Sequence, residues 1–393
     1  MSFRSDRWML PDGIEEMLPP QAARIQRLRR ELLDTFRVWG YDYVIPPMVE
    51  FVDSLLTGTG REIDLRTCKV TDQLTGKLMG IRADITPQVA RIDAHSMKRE
   101  GVNRLCYSGH VMHAKPRGPL ASRIPIQAGV EIFGESSVEA DIEVLSLLAD
   151  VLSASGLRDL HINLAEVSVF RELARAAGLS SVQEAECREL IRNRRVTELA
   201  EWLPANVDKE SHQAAFNLLP ELLGGEEVLD MFCGQLAGII DCEAVAADLR
   251  ACYRALKQRF PDISVSIDLS ELRGYSYHTG IVFAAYTPSS GHSLAAGGRY
   301  DHVGESFGRA RPATGFVTNV SAVASVLAGY ADDEGQAEEC IADGVFVPAS
   351  SSQSPRAFER AQALRKKGER VVFGFSGQEN PQPYQACSRK LDS

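Results

Sequence analysis

Leu105-Cys-Tyr-Ser-Gly-His-Val-Met-His113 and Ile124-Pro-Ile-Gln-Ala-Gly-Val-Glu-Ile-Phe133 are the stretches whose reading decides the fold. Each is a run of apolar, aromatic and small residues of strand length. Between them Lys115-Pro-Arg-Gly-Pro119 supplies turn chemistry, so the two are expected to form an antiparallel hairpin. Upstream, Ile25, Leu28, Leu32 and Phe36 recur at three- and four-residue steps, which predicts an amphipathic helix over about residues 20–39, ended by Gly40. Tyr41 to Pro47 reads as a short strand, and Val49, Val52, Leu55 and Leu56 as a short helix. Thr67 to Asp72 and Lys77 to Arg82 read as a second hairpin, and Thr86-Pro87 as a helix start.

Downstream, Ser137 is read as the cap of a helix ending at Gly156, and His161 to Leu164 as a strand. From about Val167 to Phe260 short helical patterns follow one another, an all-helical insertion between strands. Sheet character returns at Ile263 to Leu269, Gly280 to Ala285 and Ser293 to Ala296, with a helix after Ser321. An acidic linker, Ala331 to Glu339, precedes a tail that reads strand (Gly344 to Pro348), helix (Ser354 to Lys367), strand (Val371 to Phe375). The expected fold class is α+β: an antiparallel sheet flanked by helices over residues 1–330, with the insertion at about 167–260, then a small C-terminal α/β unit over residues 331–393.

Composition narrows the function. With 44% hydrophobic and 24% charged positions the 393-residue chain reads as globular, and no run approaches the ~20 apolar residues of a membrane span. The start, Met1-Ser-Phe-Arg-Ser-Asp-Arg7, lacks the apolar core of a secretion signal, so cytoplasmic residence is expected. A net charge of −10 opposes broad contact with a polyanion, so no nucleic-acid partner is expected. The eight cysteines form no CxxC pair and none lies at metal-ligand spacing from a histidine, so free thiols and no metal are expected. Phosphate-loop, dinucleotide and HExxH patterns are all missing; the nearest, Leu74-Thr-Gly-Lys77, sits in a predicted hairpin turn.

Four stretches in order carry the chemistry: Arg82-Ala-Asp-Ile-Thr86, Gln127-Ala-Gly-Val-Glu131, Leu272-Arg-Gly-Tyr-Ser-Tyr-His278 and Gly297-Gly-Arg-Tyr-Asp301. Together they resemble the substrate-site segments of the histidyl-tRNA synthetase family, a class II aminoacyl-tRNA synthetase fold, over roughly residues 9–325. Histidine needs an anion for its ammonium, a cation for its carboxylate and an acceptor for its ring N–H. The resemblance implies Asp84 and Thr86 at the amino group, Gln127 and Arg273 near the carboxylate or carbonyl, and Glu131 and Tyr277 beside the imidazole. The residues alone leave Glu131 open as a solvated strand residue, Arg273 as a surface pairing residue and Asp84 to Thr86 as a plain helix start. Gly297-Gly298 equally suits a tight backbone crossing.

The departures from the family bear on activity. Adenylate formation in the family uses one arginine on the α-phosphate of ATP and one on the γ-phosphate. By the resemblance Met112 stands at the first position and Ala322 at the second; a one-residue shift in the first loop would bring in Lys115 or Arg117. The tail is about half the size of the family's anticodon-binding domain. Over the whole chain, Met9 to Gly13, Gly80 to Pro87, Leu272 to Gly280 and Gly308 to Gly315 look like the family of synthetase-related regulatory subunits of short-form ATP phosphoribosyltransferase. That resemblance implies a non-catalytic chain without a cofactor, a partner in the catalytic phosphoribosyltransferase subunit, a homodimer through the synthetase-like core, and histidine as effector. The competing class is a histidine–tRNA ligase or a related ATP-dependent amino-acid ligase.

Overall fold

The computed structural model describes residues 8–58, 61–116, 118, 121–333, 344–381 and 387–391; Met1 to Arg7, Arg117 and most of the acidic linker lie outside them. The chain divides into two compact units, Met1–Glu16 with Leu28–Val326, and Met17–Arg27 with Leu327–Ser393.

In chain order the strands are β1 (Asp42–Tyr43), β2 (Val49–Phe51), β3 (Cys68–Thr71), β4 (Leu78–Ile81), β5 (Asn103–His110), β6 (Ile126–Phe133), β7 (His161–Glu166), β8 (Leu223–Gly224), β9 (Ser264–Asp268), β10 (Ile281–Tyr286), β11 (Ala295–Arg299), β12 (Ala313–Asn319), β13 (Gly344–Val347), β14 (Val371–Phe373) and β15 (Cys387–Lys390). The first unit is built on a nine-stranded sheet, β1-β5-β6-β12-β11-β10-β7-β9-β8. Its central run from β5 to β7 is antiparallel throughout, and β1 and β9 join in parallel. The predicted hairpin is β5 and β6. All eight residues of β6 are buried, as befits a strand covered on both faces.

The helix Val138–Ala154 lies on β6 and β12, with Val144, Leu145, Leu148 and Leu152 buried. Ser137 holds its N-cap position but its side chain makes no capping bond; Glu139 and Asp141 supply negative charge in the first turn. The predicted opening helix is Gln21–Val38, and Phe36 meets Phe316 of β12 edge-on at 6.0 Å. Gly40 follows it at φ +88, a conformation that favours glycine. Between β7 and β9 six helices run from Val167 to Arg259, the second of them started by a capping box of Ser180 and Gln183.

Four expectations fail. The insertion read as all-helical also carries β8, which pairs antiparallel with β9. Val49–Phe51 is a strand, not the start of a helix, because it pairs antiparallel with β4; only Val52–Leu55 is helical. The strand β12 has no counterpart in the sequence reading, although it lies between β6 and β11 at the centre of the sheet. β15 likewise adds an unforeseen parallel strand beside β13 in the second unit. That unit otherwise follows the strand, helix, strand order, with the helix Pro355–Lys366 burying Ala357 and Ala361 against β13 and β14.

Candidate functional site

Cross-strand pairs share a face of the sheet, so register fixes which side chains meet. One row runs Glu131, Gly315, Gly298, Val282, and the next Gly129, Val317, Ala296, Ala284. Gln127 pairs with Asn319 at the end of the same face. Small residues therefore floor the space between Glu131 and Gln127. Gly315 is required there, because a Cβ would overlap the Glu131 carboxylate. Gly297 serves the tight crossing instead: a Cβ would stand 2.7 Å from the Phe316 Cα.

Glu131 is 1% exposed. Its Oε1 accepts from the Tyr107 hydroxyl at 3.0 Å, and its Oε2 accepts from Tyr300. The Tyr107 hydroxyl also shares a hydrogen bond with Thr86 Oγ1 at 3.0 Å. Thr86 is the first residue of the helix Thr86–Arg91, and its hydroxyl serves this cluster and not a cap. Burial pushes the Glu131 carboxyl up to about 8; hydrogen bonds from Tyr300, Thr86 and Tyr107 oppose the rise, and the nearby Asp84 carboxylate adds to it. Burial also holds the phenols of Tyr107, Tyr277 and Tyr300 well above their ordinary range. The solvated-strand alternative for Glu131 is excluded by this environment.

Tyr277 stacks on Tyr300 with ring centroids 5.1 Å apart, and its hydroxyl is buried with no hydrogen-bond partner among the described residues. Its loop is wound by Gly274, φ +62, whose carbonyl accepts from the N–H groups of both Tyr277 and His278 at 2.8 Å. A Cβ at Gly274 would strike the His278 ring. His278 is pushed down to about 4 by burial, and its Nδ1 stands 3.2 Å from the Arg299 carbonyl, so the neutral ring donates from Nδ1. The insertion clamps the loop from outside: Arg171 Nη2 donates to the carbonyls of Tyr275 and His278, and Arg171 and Arg188 both lie 4.9 Å from the Tyr275 ring.

At the other end, Gln127 is buried and its Oε1 has no partner among the described residues. Arg273 is turned to the ends of β10 and β11. Its Nη1 donates to Ser293 Oγ at 2.7 Å and its Nη2 to the Tyr286 hydroxyl at 2.9 Å, while Glu271 lies 3.7 Å away. Asp84, Thr86, Gln127, Glu131 and Tyr277 thus border one face, and the guanidinium of Arg273 is hydrogen-bonded to Ser293 and Tyr286 and to none of them. Tyr107 and Tyr300 are the residues that sequence reasoning missed. Tyr300 lay inside the quoted Gly297 to Asp301 stretch; Tyr107 is found only through its register opposite Gly129.

Met112 is half-buried and donates its N–H to the Arg82 carbonyl at 2.9 Å; the neighbouring His113 is buried, with Nε2 3.0 Å from Arg66 Nη2 and 3.2 Å from the Ala83 carbonyl. Ala322 stands in the first turn of the helix after β12, its N–H donating to Asn319 Oδ1 at 3.1 Å. The alternative residue Arg117 lies outside the described residues. Two other arginines of the quoted motifs are committed to carboxylates. Arg299 donates through Nε and Nη2 to Asp141 Oδ2 at 3.0 and 2.6 Å, and Arg311 Nη1 reaches both oxygens of Asp93 at 3.1 Å. The arrangement can recognise a small ligand bearing hydrogen-bond donors and positive charge.

Residues 13–323 match the family model described as histidyl-tRNA synthetase. Among curated proteins the chain is 49% identical to the ATP phosphoribosyltransferase regulatory subunit of Saccharophagus degradans, over 98% of this chain and 96% of that one. It is 50% identical to the protein of that name from Cellvibrio japonicus, over 94% and 90%. Among solved structures it resembles an ATP phosphoribosyltransferase regulatory subunit/histidyl-tRNA synthetase from Bacillus halodurans, with TM-score 0.84 at 23% identity over 98% and 97% of the two chains. A histidyl-tRNA synthetase from a Nostoc species gives TM-score 0.76 at 19% identity, over 96% of this chain and 88% of that one. The two structural likenesses speak for the fold alone.

Proposed function

Since the chain belongs to the family of ATP phosphoribosyltransferase regulatory subunits, built on the histidyl-tRNA synthetase fold, we propose that it assembles with the catalytic subunit of a short-form ATP phosphoribosyltransferase, raises its turnover and confers feedback inhibition by histidine. The observation that supports this reading is the buried cluster of Glu131, Tyr107, Tyr300 and Thr86, which we read as an amino-acid pocket. Asp84 and Thr86 take the ligand's amino group, Glu131 and Tyr277 its imidazole, and Gln127 and Arg273 border its carboxylate. Met112 and Ala322 take the places of the two arginines that an adenylating relative uses, and an uncompensated phosphate charge costs several kcal/mol in a transition state. The chain then binds histidine and performs no chemistry of its own. It works in the cytoplasm, where its partner's substrates are.

A homodimer through the helix Gln21–Val38 and β1 completes the proposal. Tyr43, Ile45 and Met48 at that edge are 44%, 79% and 42% exposed, an apolar set that a symmetric contact would cover. The reading is tested in the reconstituted complex. Glu131→Ala is expected to weaken histidine inhibition while leaving activation in place, because it removes a ligand contact and not an interface contact. An unchanged inhibition curve for Glu131→Ala in a complex that still assembles would make the pocket a relic.

A further inference from the structure

The ligand's carboxylate end is the weak half of the pocket. The cation that the resemblance assigns to it, Arg273, has Glu271 3.7 Å away; the same carboxylate accepts from the Arg273 backbone N–H at 2.9 Å through Oε1. Ser293 and the Tyr286 hydroxyl take two further guanidinium donors. Other described arginines of the motifs are paired elsewhere: Arg299 with Asp141, Arg309 with Glu100, Arg311 with Asp93, and Arg82 with the carbonyls of Pro46 and His110 at 2.9 and 2.8 Å. At this end the polar atom left open points the other way: Gln127 Oε1 is a buried acceptor without a partner among the described residues, and the neighbouring Asn319 Oδ1 already accepts from the Ala322 N–H.

We infer that Glu271 is a specificity-determining residue that masks Arg273, so that the pocket selects imidazole-bearing primary amines by their cationic half and reads the carboxylate weakly. This rests on the histidine-pocket reading above. A carboxylate arriving at Arg273 meets a guanidinium whose charge is partly offset by Glu271 3.7 Å away, and must displace Ser293 or Tyr286 to form a bidentate pair. An alcohol in its place leaves no buried charge unpaired and can donate to Gln127 Oε1. Histidine and its carboxylate-free analogue therefore bind with similar affinity, and unmasking Arg273 separates them.

The experiment is calorimetric titration of the full-length chain with L-histidine and with L-histidinol, in the wild type and in Glu271→Gln, which keeps an acceptor for the Arg273 N–H and removes the charge. The wild type is expected to bind the two within about 3-fold of each other. Glu271→Gln is expected to favour histidine by a further ~2- to 5-fold, the size of one exposed-to-half-buried charge contact. Glu271→Ala, with thermal unfolding as the check on folding, should move the ratio in the same direction. Histidinol binding more than about 10-fold weaker than histidine to the wild type overturns the inference and leaves the pocket reading intact. So does a ratio unmoved by both variants. Binding of neither ligand to the wild type removes the pocket reading itself.

Discussion

Replacing Glu131 by glutamine should change how stability depends on pH. The carboxyl sits in a site that disfavours its charged form, pushed up to about 8 from an ordinary value of 4.5 chiefly by burial. The folded state then holds a proton that the unfolded state has released, over the window between those two values. Stability from this group is present in full below about pH 4.5 and is lost as pH rises through about 8. One proton's difference is worth about 1.4 kcal/mol per pH unit, so between about pH 5.5 and about pH 7.5 the group accounts for a loss of roughly 2–3 kcal/mol. Glu131→Gln keeps the shape under Tyr107 and Tyr300 and removes the titration. Urea unfolding of the two proteins across that range should show the wild type losing this much more than the variant. Parallel pH profiles would refute the reasoning, since they would mean that Glu131 is ionised in the folded protein or that its hydrogen bonds fully offset its burial.

Other outcomes follow from the same geometry. Asp141→Ala removes the nearer counter-charge of the buried Arg299, leaving Asp301 at 3.4 Å and the carbonyls of Glu135 and Ser137, and should cost up to about 3–5 kcal/mol in chemical unfolding. The double change Asp141→Leu with Arg299→Met should recover most of that loss. Histidine-dependent ATP–pyrophosphate exchange by the isolated chain should not rise above a no-enzyme background, given Met112 and Ala322; exchange proportional to protein would contradict the non-catalytic reading. Sedimentation at micromolar concentration should give a dimer, and a charged substitution at Ile45, which is 79% exposed, should shift it toward monomer.

Much of this architecture is written locally. The stripe Ile25, Leu28, Leu32, Phe36 gives a helix because each of these side chains is buried on one face, and all four are 4% exposed or less. The hairpin of β5 and β6 announces itself by its residue types and its turn. β12 does not: Ala313-Thr-Gly-Phe-Val-Thr-Asn319 carries small residues because Gly315 must leave room for Glu131 on the neighbouring strand, a demand of tertiary packing that weakens local strand character. Val49–Phe51 misreads for the opposite reason, since its helical spacing is overridden by pairing with β4. Asp84, Thr86, Gln127, Glu131 and Tyr277 are candidates through the family resemblance that their motifs carry, not through composition or periodicity. That Tyr107 and Tyr300 occupy both oxygens of Glu131, and that Glu271 stands against Arg273, depends on register and loop geometry that no single stretch encodes.

The central claim is that this chain acts on another. Its most direct test is the steady-state turnover of a short catalytic ATP phosphoribosyltransferase subunit with and without the purified chain, at protein concentrations where the two co-sediment. A partner that binds one conformation of the catalytic subunit more tightly shifts it toward that state, and ~1–3 kcal/mol of coupling gives roughly a 5- to 150-fold change. A rise in turnover of that order, reversed by histidine, is the predicted result; a catalytic subunit whose rate and sedimentation are both unchanged by this chain would contradict it.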